Sequence, residues 1–448
     1  MLPATILGSS LGFIDSSVVN VALPAIKDDL GVGLASVQWI VNGYMLTLAS
    51  LILLGGTAGD RYGRRRVFLV GLLAFATASL LCGLAPAAEF LLIARLAQGA
   101  AAAALTPASL AIIGAAYPGK DRGPAIGTWA AAAAITTALG PLLGGWLVDA
   151  VGWRSIFFIN LPVAAVAIAL ALRLPADRGE GASRLDVVGA ALATAGLGLL
   201  SFGLISLGEG HRAYGALAIA AAVPVGVLFI WAEARVKEPM MPLDLFRNRN
   251  FAGANILTVL LYAALSASLF LLPFLLIEQH GYSATAAGAT FLPFSIIMGL
   301  GSRESGGLVG RFGPRLPLMI GPLATGLGFM LLGLSGTSRS YWSGFLPGLT
   351  IAGIGMTLSV APLTTTVLNA APNDRSGTAS GINNAAARVG GLLAVAALGL
   401  AFGPAGASAA KGPALLEAYR VVMFAAAALA GLSALSAAFM IEDVRREP

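Results

Sequence analysis

The sequence predicts an all-α integral membrane protein whose fourteen transmembrane helices are arranged as 6+2+6. Three observations lead to this fold class: the composition, a series of long apolar runs, and an internal repeat. Of the 448 residues, 57% are hydrophobic and only 11% are charged, whereas ordinary soluble domains have roughly 45–50% and 25%. So few charged side chains could not cover a water-exposed surface of this size. The composition therefore argues against a soluble enzyme, a nucleic-acid-binding domain and a disulfide-built secreted domain.

Apolar runs divide the chain into candidate membrane spans. A helix needs about 20 mostly apolar residues to cross the hydrocarbon core, because lipid offers the backbone no hydrogen-bond partners. The first run contains an acid and has no basic segment before it, so we interpret it as a retained span rather than a cleaved signal peptide. The fourteen runs lie near residues 3–24, 36–57, 67–85, 90–116, 123–148, 155–172, 187–207, 214–232, 251–277, 284–302, 316–335, 341–368, 377–403 and 419–441.

The distribution of basic residues orients these spans. An even number of spans places both termini on one side of the membrane, and Lys and Arg accumulate in cytoplasmic connections. Of the 27 Lys and Arg residues, nineteen fall in the even-numbered connections and the tail, six fall in the odd-numbered connections, and two lie inside spans. We therefore expect a multi-pass protein of the cell membrane with both termini in the cytoplasm.

An internal repeat relates the two ends of the chain. Residues 56–65 read GTAGDRYGRR and residues 306–315 read GGLVGRFGPR, so Gly-x-x-x-x-Arg-aromatic-Gly-x-Arg recurs after 250 residues. Two further matches follow at nearly the same offset, namely Asp121-Arg122 with Asp374-Arg375 and Pro107 with Pro362. Transporter halves are often repeats of one another. The repeat predicts a six-helix bundle at residues 1–172, an inserted two-helix hairpin with polar linkers at 173–250, and a second six-helix bundle with a short tail at 251–448.

Away from the span ends, three charged residues lie inside the predicted spans, where each charge costs about 2.5–3.5 kcal/mol on insertion scales. At 1.5 Å per residue, Asp15 lies about 18 Å into span 1, and Arg95 lies roughly 8 Å into span 4 from the opposite side. A nearby cation stabilises a carboxylate and burial alone destabilises it, so making and breaking an Asp15–Arg95 contact would release and load a proton. A static pair that fixes span 1 against span 4 is the alternative. Arg388 lies at a similar depth in span 13, where it could bind an anionic group, bind carbonyl groups, or serve as a second partner for Asp15.

Amide side chains inside spans are candidates for orienting a ligand, because an amide in contact with lipid wastes its hydrogen bonds. We expect about half of them to join helices instead. An aromatic side chain could add stacking or cation–π contacts. The predicted cavity residues are Asn20, Gln38, Asn42, Gln98, Trp129, Arg388, Asn383 and Asn384.

Six segments together resemble the major facilitator superfamily and, within it, the fourteen-span drug:proton antiporters. The resemblance covers nearly the whole chain. Thr136 stands where the span-5 motif usually begins with Gly, and Gly310 replaces the acid that Asp60 supplies in the first half. The segments are GTAGDRYGRRR at 56–66, ARLAQGAAAA at 94–103, LGPLLGG at 139–145, FIDSSVVNVALPAI at 13–26, WRSIFFINLP at 153–162 and NDRSGTASGINNAAARVGG at 373–391.

The resemblance implies roles for two of these motifs. Gly56, Asp60, Arg61, Gly63 and Arg64 are expected to form a cytoplasmic gate that stabilises the outward-open state. Asp60 would accept hydrogen bonds from a helix N-terminus in the other bundle, where the helix dipole favours an anion. The alternative, that the arginines only anchor the positive side, leaves Asp60 and the glycines unexplained.

The span-5 motif contains Gly140, Pro141, Gly144 and Gly145. The proline removes one backbone hydrogen bond and the glycines permit close helix packing. The motif could therefore form a bend for alternating access, and generic close packing is an equal alternative.

The leading hypothesis is a proton-coupled antiporter that exports small hydrophobic or amphipathic compounds such as drugs and antibiotics. An uptake symporter or facilitator of the same fold is the first alternative, and a membrane protein that does not transport is the second. No Gly-rich phosphate loop occurs, so the proton gradient rather than ATP is the expected energy source. We expect no enzymatic activity, no cofactor, no metal and no nucleic acid. The expected partners are a small-molecule substrate, protons and the lipid bilayer, and the protein is expected to be a monomer.

Overall fold

The computed structural model describes residues 1–117, 121–175, 177, 185–338, 340–372, 375–405 and 412–443, and within them it contains only helices and their connections. Two predicted features lie partly outside the described residues. They are the second copy of the repeat, at Asp374 and its neighbour Asn373, and the polar linker before α8, at residues 178–184. The α-helices are α1 (Leu2–Leu30), α2 (Leu34–Tyr62), α3 (Arg64–Gly83), α4 (Ala88–Ala116), α5 (Arg122–Ala150), α6 (Ser155–Phe158), α7 (Asn160–Ala171), α8 (Val187–Gly208), α9 (Arg212–Glu233), α10 (Arg249–Phe274), α11 (Ala284–Ala289), α12 (Leu292–Gly306), α13 (Leu308–Phe312), α14 (Arg315–Leu334), α15 (Leu346–Asn369), α16 (Ser376–Ala397) and α17 (Gly412–Met440).

The membrane spans follow the expected pattern. In the described ranges thirteen helices are long and apolar enough to cross a membrane, and the shorter apolar segment Ser155–Ala171 is the fourteenth candidate. The all-α membrane architecture predicted from the sequence is therefore confirmed. Several boundaries differ by five or more residues: α2 continues to Tyr62 and α17 begins at Gly412. Helix α1 continues to Leu30, so Lys27, expected in a connection, lies in the last turn of that helix.

Helices α1–α7 pack on one another in the first part of the chain, chiefly through α2 with α4, α3 with α4 and α1 with α5. Helices α10–α17 form a second set of contacts, in which α14 packs on α15 and α17, and α10 packs on α16 and α17. We call these sets the first half and the second half. The boundaries at residues 172 and 250 stay a prediction.

The repeated motif has the same backbone geometry in both halves. Gly63 and Gly313 have φ values of 96° and 74°, a region that favours glycine, and each precedes a helix of 20 residues. An aspartate accepts a backbone hydrogen bond at the start of each helix: Asp177 from Arg64 and Arg65 at 2.6 and 3.1 Å, and Asp443 from Arg315 at 3.1 Å. In both halves the motif thus forms a tight turn, and a carboxylate that is distant in sequence caps the helix after the turn.

The inserted hairpin consists of α8 and α9, and α8 contacts both halves. On the first half, the ring centroids of Trp39 and Phe202 are 6.4 Å apart. On the second half, α8 packs against α16 and the segment Leu398–Ala405 that follows it. Here a Cβ on Gly208 would lie 2.7 Å from the Cα of Gly399, so the two backbones touch directly.

Candidate functional site

The carboxylate of Asp15 is enclosed within the first half. Asp15 and Arg95 are each 1% exposed and form an ion pair between α1 and α4. The Oδ1 atom of Asp15 also accepts hydrogen bonds from Nε2 of Gln98 at 2.9 Å and from Nδ2 of Asn160 at 3.3 Å. Both oxygens of the carboxylate therefore have partners, as a buried charge requires.

Arg95 is held by groups on three sides. Its Nε donates to the carbonyl of Ile40 at 3.3 Å, and its Nη1 donates to Oε1 of Gln98 at 2.7 Å. The guanidinium carbon lies 4.2 Å from the ring centroid of Tyr44 and 5.8 Å from that of Phe157. These contacts would keep Arg95 solvated by the protein even when the Asp15 contact is broken, because a guanidinium combines planar donors with stacking.

A second layer of polar groups orients the amides that contact Asp15. The Ser79 hydroxyl accepts from Asn160 at 2.9 Å and from Gln98 at 3.3 Å, and donates to the carbonyl of Phe157 at 2.9 Å. The lone cysteine, Cys82, donates to Oε1 of Gln98 at 3.5 Å. Sequence reasoning missed Ser79 and Asn160. The signal for Asn160 was available, since it is a polar residue within the apolar segment at 155–171.

A cavity adjoins this network and lies between the halves. Its wall from the second half includes Asn384 and Arg388 of α16, and its wall from the first half comes from α1, α2 and α4. Tyr44 lines the cavity with the ring that also stacks on Arg95. The lining residues are Ser9, Gly12, Phe13, Tyr44, Leu48, Ile52, Ala102, Leu105, Thr106, Asn384 and Arg388.

Several predicted cavity residues instead join helices. Gln38 donates to the carbonyls of Val395 and Ala396 at 2.6 and 3.4 Å and so connects the two halves. Asn383 donates to Oγ1 of Thr258 at 2.7 Å and to Oδ1 of Asn255 at 3.3 Å within the second half. Together with Gln98, these amides have a packing role where the sequence predicted ligand contact.

The remaining predicted cavity residues divide by position. Arg388 and Asn384 line the cavity, and Trp129 lies at its edge, because its Nε1 donates to Oγ of the lining residue Ser9 at 3.1 Å. Asn20 donates to the carbonyl of Ser16 at 3.4 Å, one turn earlier on its own helix. Asn42 is fully buried, and neither side-chain polar atom has a hydrogen-bond partner within the described structure.

The predicted gate residues lie at the end of the molecule that carries the termini. Asp60 is half exposed and contacts Arg64 of the next helix at 3.4 Å. Within the described ranges it has no hydrogen bond to a helix N-terminus of the other half, and the contact expected in the outward-open state stays a prediction. Arg64 also donates to the carbonyl of Ala111 at 3.4 Å, while Arg61 stacks on Tyr62 at 5.4 Å. A Cβ on Gly63 would lie 2.9 Å from the backbone oxygen of Asp177, whereas one on Gly56 would meet only Pro107, at 3.6 Å.

The span-5 glycines permit close helix packing. Cβ atoms on Gly140 and Gly144 would collide with Ser17 and Val18 of α1, and one on Gly145 would collide with the backbone of Ala284 in the second half. The backbone of Pro141 similarly leaves no room for a side chain at Gly288. Helix α5 is continuous from Arg122 to Ala150, so the geometry favours close packing for this motif.

Two polar contacts reinforce the same junction, at the end of the molecule opposite the termini. Lys27 and Glu278 approach to 2.5 Å, with side chains 9% and 10% exposed. Asp149 at the end of α5 accepts hydrogen bonds from the backbone of Ala284 at 3.1 Å and of Thr285 at 2.7 Å, and from the Thr285 hydroxyl at 2.6 Å. A carboxylate from the first half thus caps α11 of the second half, where the helix dipole favours an anion. We call these two contacts the distal latch.

The described residues contain no group of three or more His, Cys, Asp or Glu side chains that could hold a metal ion. A family model described as Major Facilitator Superfamily matches residues 5–395. The chain belongs to this superfamily.

Three relatives with curated names are identical to this chain at a third or more of the aligned residues. The "Multidrug resistance protein Stp" of Mycobacterium tuberculosis is 39% identical over 402 residues, which are 89% of this chain and 74% of that protein. The "Tetracenomycin C resistance and export protein" of Streptomyces glaucescens is 36% identical over 406 residues, covering 89% and 75%. The "Methylenomycin A resistance protein" of Bacillus subtilis is 34% identical over 398 residues, covering 88% and 85%.

Solved structures of transporters share the fold at low sequence identity. A bacterial homologue of the human lysosomal transporter Spinster superposes with a TM-score of 0.68 at 19% identity, covering 100% of this chain and 98% of that chain. A POT family transporter in complex with a thioalcohol-conjugated peptide superposes with a TM-score of 0.72 at 14% identity, covering 98% and 96%. The transporter fold of the chain is therefore shown.

Proposed function

We propose that this protein is a proton-coupled antiporter that exports small hydrophobic or amphipathic compounds, including drugs and antibiotics, by alternating access. Its relatives are named for resistance to such compounds and for their export. The observation that supports proton coupling is the environment of the Asp15 carboxylate. It is 1% exposed and is paired with Arg95, a cation that has other hydrogen-bond partners. In this proposal the protein is a transporter rather than an enzyme, works as a monomer without a cofactor, and uses the proton gradient.

The Asp15–Arg95 pair exchanges a proton with the bulk through two alternative states. When Asp15 is charged, it accepts bonds from Arg95, Gln98 and Asn160. A proton on Asp15 removes the attraction to Arg95, which remains bonded to Ile40 and stacked on Tyr44. Because the two states differ in how tightly α1 and α4 are joined, proton binding shifts the balance between conformations.

The direction of transport rests on the orientation of the chain. We place both termini in the cytoplasm of a cell-membrane protein, because basic residues concentrate in the connections on that side. The distal latch then closes the extracellular end, whereas Asp60 at the cytoplasmic end is exposed and paired with Arg64 of its own half. The arrangement corresponds to the state in which the cavity receives substrate from the cytoplasm.

Proton movement in everted membrane vesicles tests the proposal. The vesicle lumen is acidified, and either ethidium or 8-anilino-1-naphthalenesulfonate is added as a cationic or anionic substrate probe. Alkalinisation of the lumen that depends on the protein and on at least one probe is expected. Acidification would instead indicate a symporter, and no proton movement with either probe would overturn proton coupling.

Variants of two acids on α1 make the test specific. Asp15→Asn is expected to abolish the alkalinisation, whereas Asp28→Asn, on the same helix with a side chain 60% exposed, is expected to retain it. Size-exclusion chromatography and energy-independent probe exchange report whether Asp15→Asn is folded. A folded Asp15→Asn protein that still drives uphill export would disprove the role of Asp15.

A further inference from the structure

Arg388 differs from Arg95, the other cation at mid-span. Arg95 has an ion pair, two further hydrogen bonds and a stacked ring. Arg388, in contrast, lines the cavity half-buried, and within the described part of the chain its guanidinium makes no hydrogen bond or ion pair. A charge in a membrane span without a partner is costly, so this guanidinium is available to a ligand.

The lining of the cavity leaves the charge of Arg388 uncompensated. Among its eleven described lining residues there is no Asp or Glu, and Arg388 is the one charged side chain. The nearby carboxylate, Asp15, is sealed behind Tyr44 and is already bonded to Arg95. The described lining therefore carries a net formal charge of +1, which attracts anions and disfavours organic cations.

The neighbours of Arg388 define the shape of the complementary ligand. Asn384 lies one helical turn before it and faces the same cavity, and Tyr44 and Tyr262 are within electrostatic range of its charge. The opposite wall is largely apolar, with Phe13, Leu48, Ile52 and Leu105. A guanidinium beside an amide suits a planar carboxylate or a comparable oxyanion, and the apolar wall suits an aromatic or alicyclic body.

We propose that Arg388 is the recognition group for the anionic head of the substrate, so that the transported compounds are amphipathic organic anions. This inference rests on the proposed export function and specifies its substrate class. Arg388 binds the oxyanion through paired N–H donors, Asn384 adds a donor at the rim, and the apolar wall contacts the ring system. Organic cations with the same ring system are excluded by the unpaired charge.

Equilibrium binding of three ligands with one ring system tests this assignment. The purified full-length protein in detergent is titrated with 9-anthracenecarboxylate, its methyl ester and 9-anthracenemethylammonium, and binding is followed by ligand fluorescence. The carboxylate is expected to bind at least about tenfold more tightly than the ester, because one charge-assisted hydrogen bond contributes a binding free energy of that size. The ammonium compound is expected to bind most weakly. Equal binding of the three, or no binding of the carboxylate, would overturn the proposal.

Variants assign the preference to Arg388. Arg388→Gln is expected to remove the discrimination between acid and ester, and Arg388→Lys to keep part of it because a point charge remains. Arg235→Gln is the matched control, since Arg235 is exposed on the insert and stacks on Trp231 at 4.4 Å, and it should bind like the native protein. An Arg388→Gln protein with an unchanged preference for the acid would disprove the assignment.

Transport of the same ligands separates this inference from the proposed function. If the acid binds through Arg388 but no proton-driven export occurs in vesicles, the anion site is supported and the proposed export function is disproved. If export of the ester or of the ammonium compound is proton-driven and is unaffected by Arg388→Gln, the export function is supported and the anion site is disproved.

Discussion

The guanidinium of Arg95 lies over the ring of Tyr44, with 4.2 Å between the guanidinium carbon and the ring centroid. The same ring lines the cavity between the halves, and its hydroxyl donates to the carbonyl of Gly12 at 3.4 Å. Tyr44 therefore separates the buried Asp15–Arg95 pair from the cavity. A single aromatic ring is in contact with both the proposed proton site and the proposed substrate site.

Removal of the Tyr44 ring should expose the ion pair to water in the cavity. Tyr44→Leu is expected to increase the substrate-independent proton leak of proteoliposomes severalfold, because water can then reach Asp15. It also loses a cation–π contact of about 0.5–2 kcal/mol. Tyr44→Phe keeps the ring and should show no added leak. A Tyr44→Leu protein without added proton leak would show that the ring is not the barrier between the cavity and Asp15.

Gln98 should be important for stability, because it contacts Asp15, Arg95 and Ser79 at 2.9, 2.7 and 3.3 Å. Gln98→Leu leaves these buried groups short of partners, at an expected cost of about 1–3 kcal/mol in the free energy of unfolding. Thermal unfolding in detergent measures this loss. The exposed Gln279 is the control, and Gln279→Leu should unfold at the native temperature. Equal unfolding temperatures for Gln98→Leu and Gln279→Leu would contradict a stabilising role of the hydrogen bonds of Gln98.

Gly145 should determine how closely the halves approach at the distal latch, because its Cα faces the backbone of Ala284. Gly145→Val is expected to separate the halves at that end. Gly127→Val on the same helix, where a Cβ meets nothing within 4 Å, should not. Spin labels on cysteines introduced at Val151 and Trp342, which are 73% and 76% exposed, report the distance. An unchanged distance in Gly145→Val would refute the assigned contact.

Lys27 and Glu278 should be coupled energetically across the two halves, since both side chains are nearly buried and 2.5 Å apart. Lys27→Glu and Glu278→Lys should each lower the unfolding temperature by placing like charges together. The double exchange should recover part of the loss, with a coupling of about 0.5–3 kcal/mol in a double-mutant cycle. Additive losses without recovery would indicate that the two residues do not interact in the membrane.

Much of the architecture was predictable from the sequence, because lipid imposes a simple rule on the backbone. Every span must be an apolar helix of nearly fixed length, so the all-α membrane fold and most span positions follow from counting. The repeated glycine and arginine positions also indicated two related halves. The sixth span, Ser155–Ala171, is the shortest of the candidates in the described ranges, and α6 and α7 meet in it at Ile159, whose dihedral angles are still helical.

The side-chain environment within the bundle was less predictable. The position of an amide along a span gives its depth, but not the direction it faces once several helices pack around it. Gln98 and Gln38 therefore turned toward other helices rather than toward the cavity. Asp60 was predicted from the motif to be a gate residue, and that role stays a prediction; the sequence does not indicate its ion pair with Arg64. Asp149 was missed because its role depends on a helix that begins 135 residues later.

The inserted hairpin affects how the halves can move. Its first helix, α8, packs on the first half through the rings of Trp39 and Phe202. It packs on the second half through the backbones of Gly208 and Gly399, and its Ile205 shares a buried cluster with Ala35 and Ala396, one residue from each half. Any rotation of one half against the other must therefore break or shift one of these two contacts, so the hairpin should restrain the amplitude of that rotation.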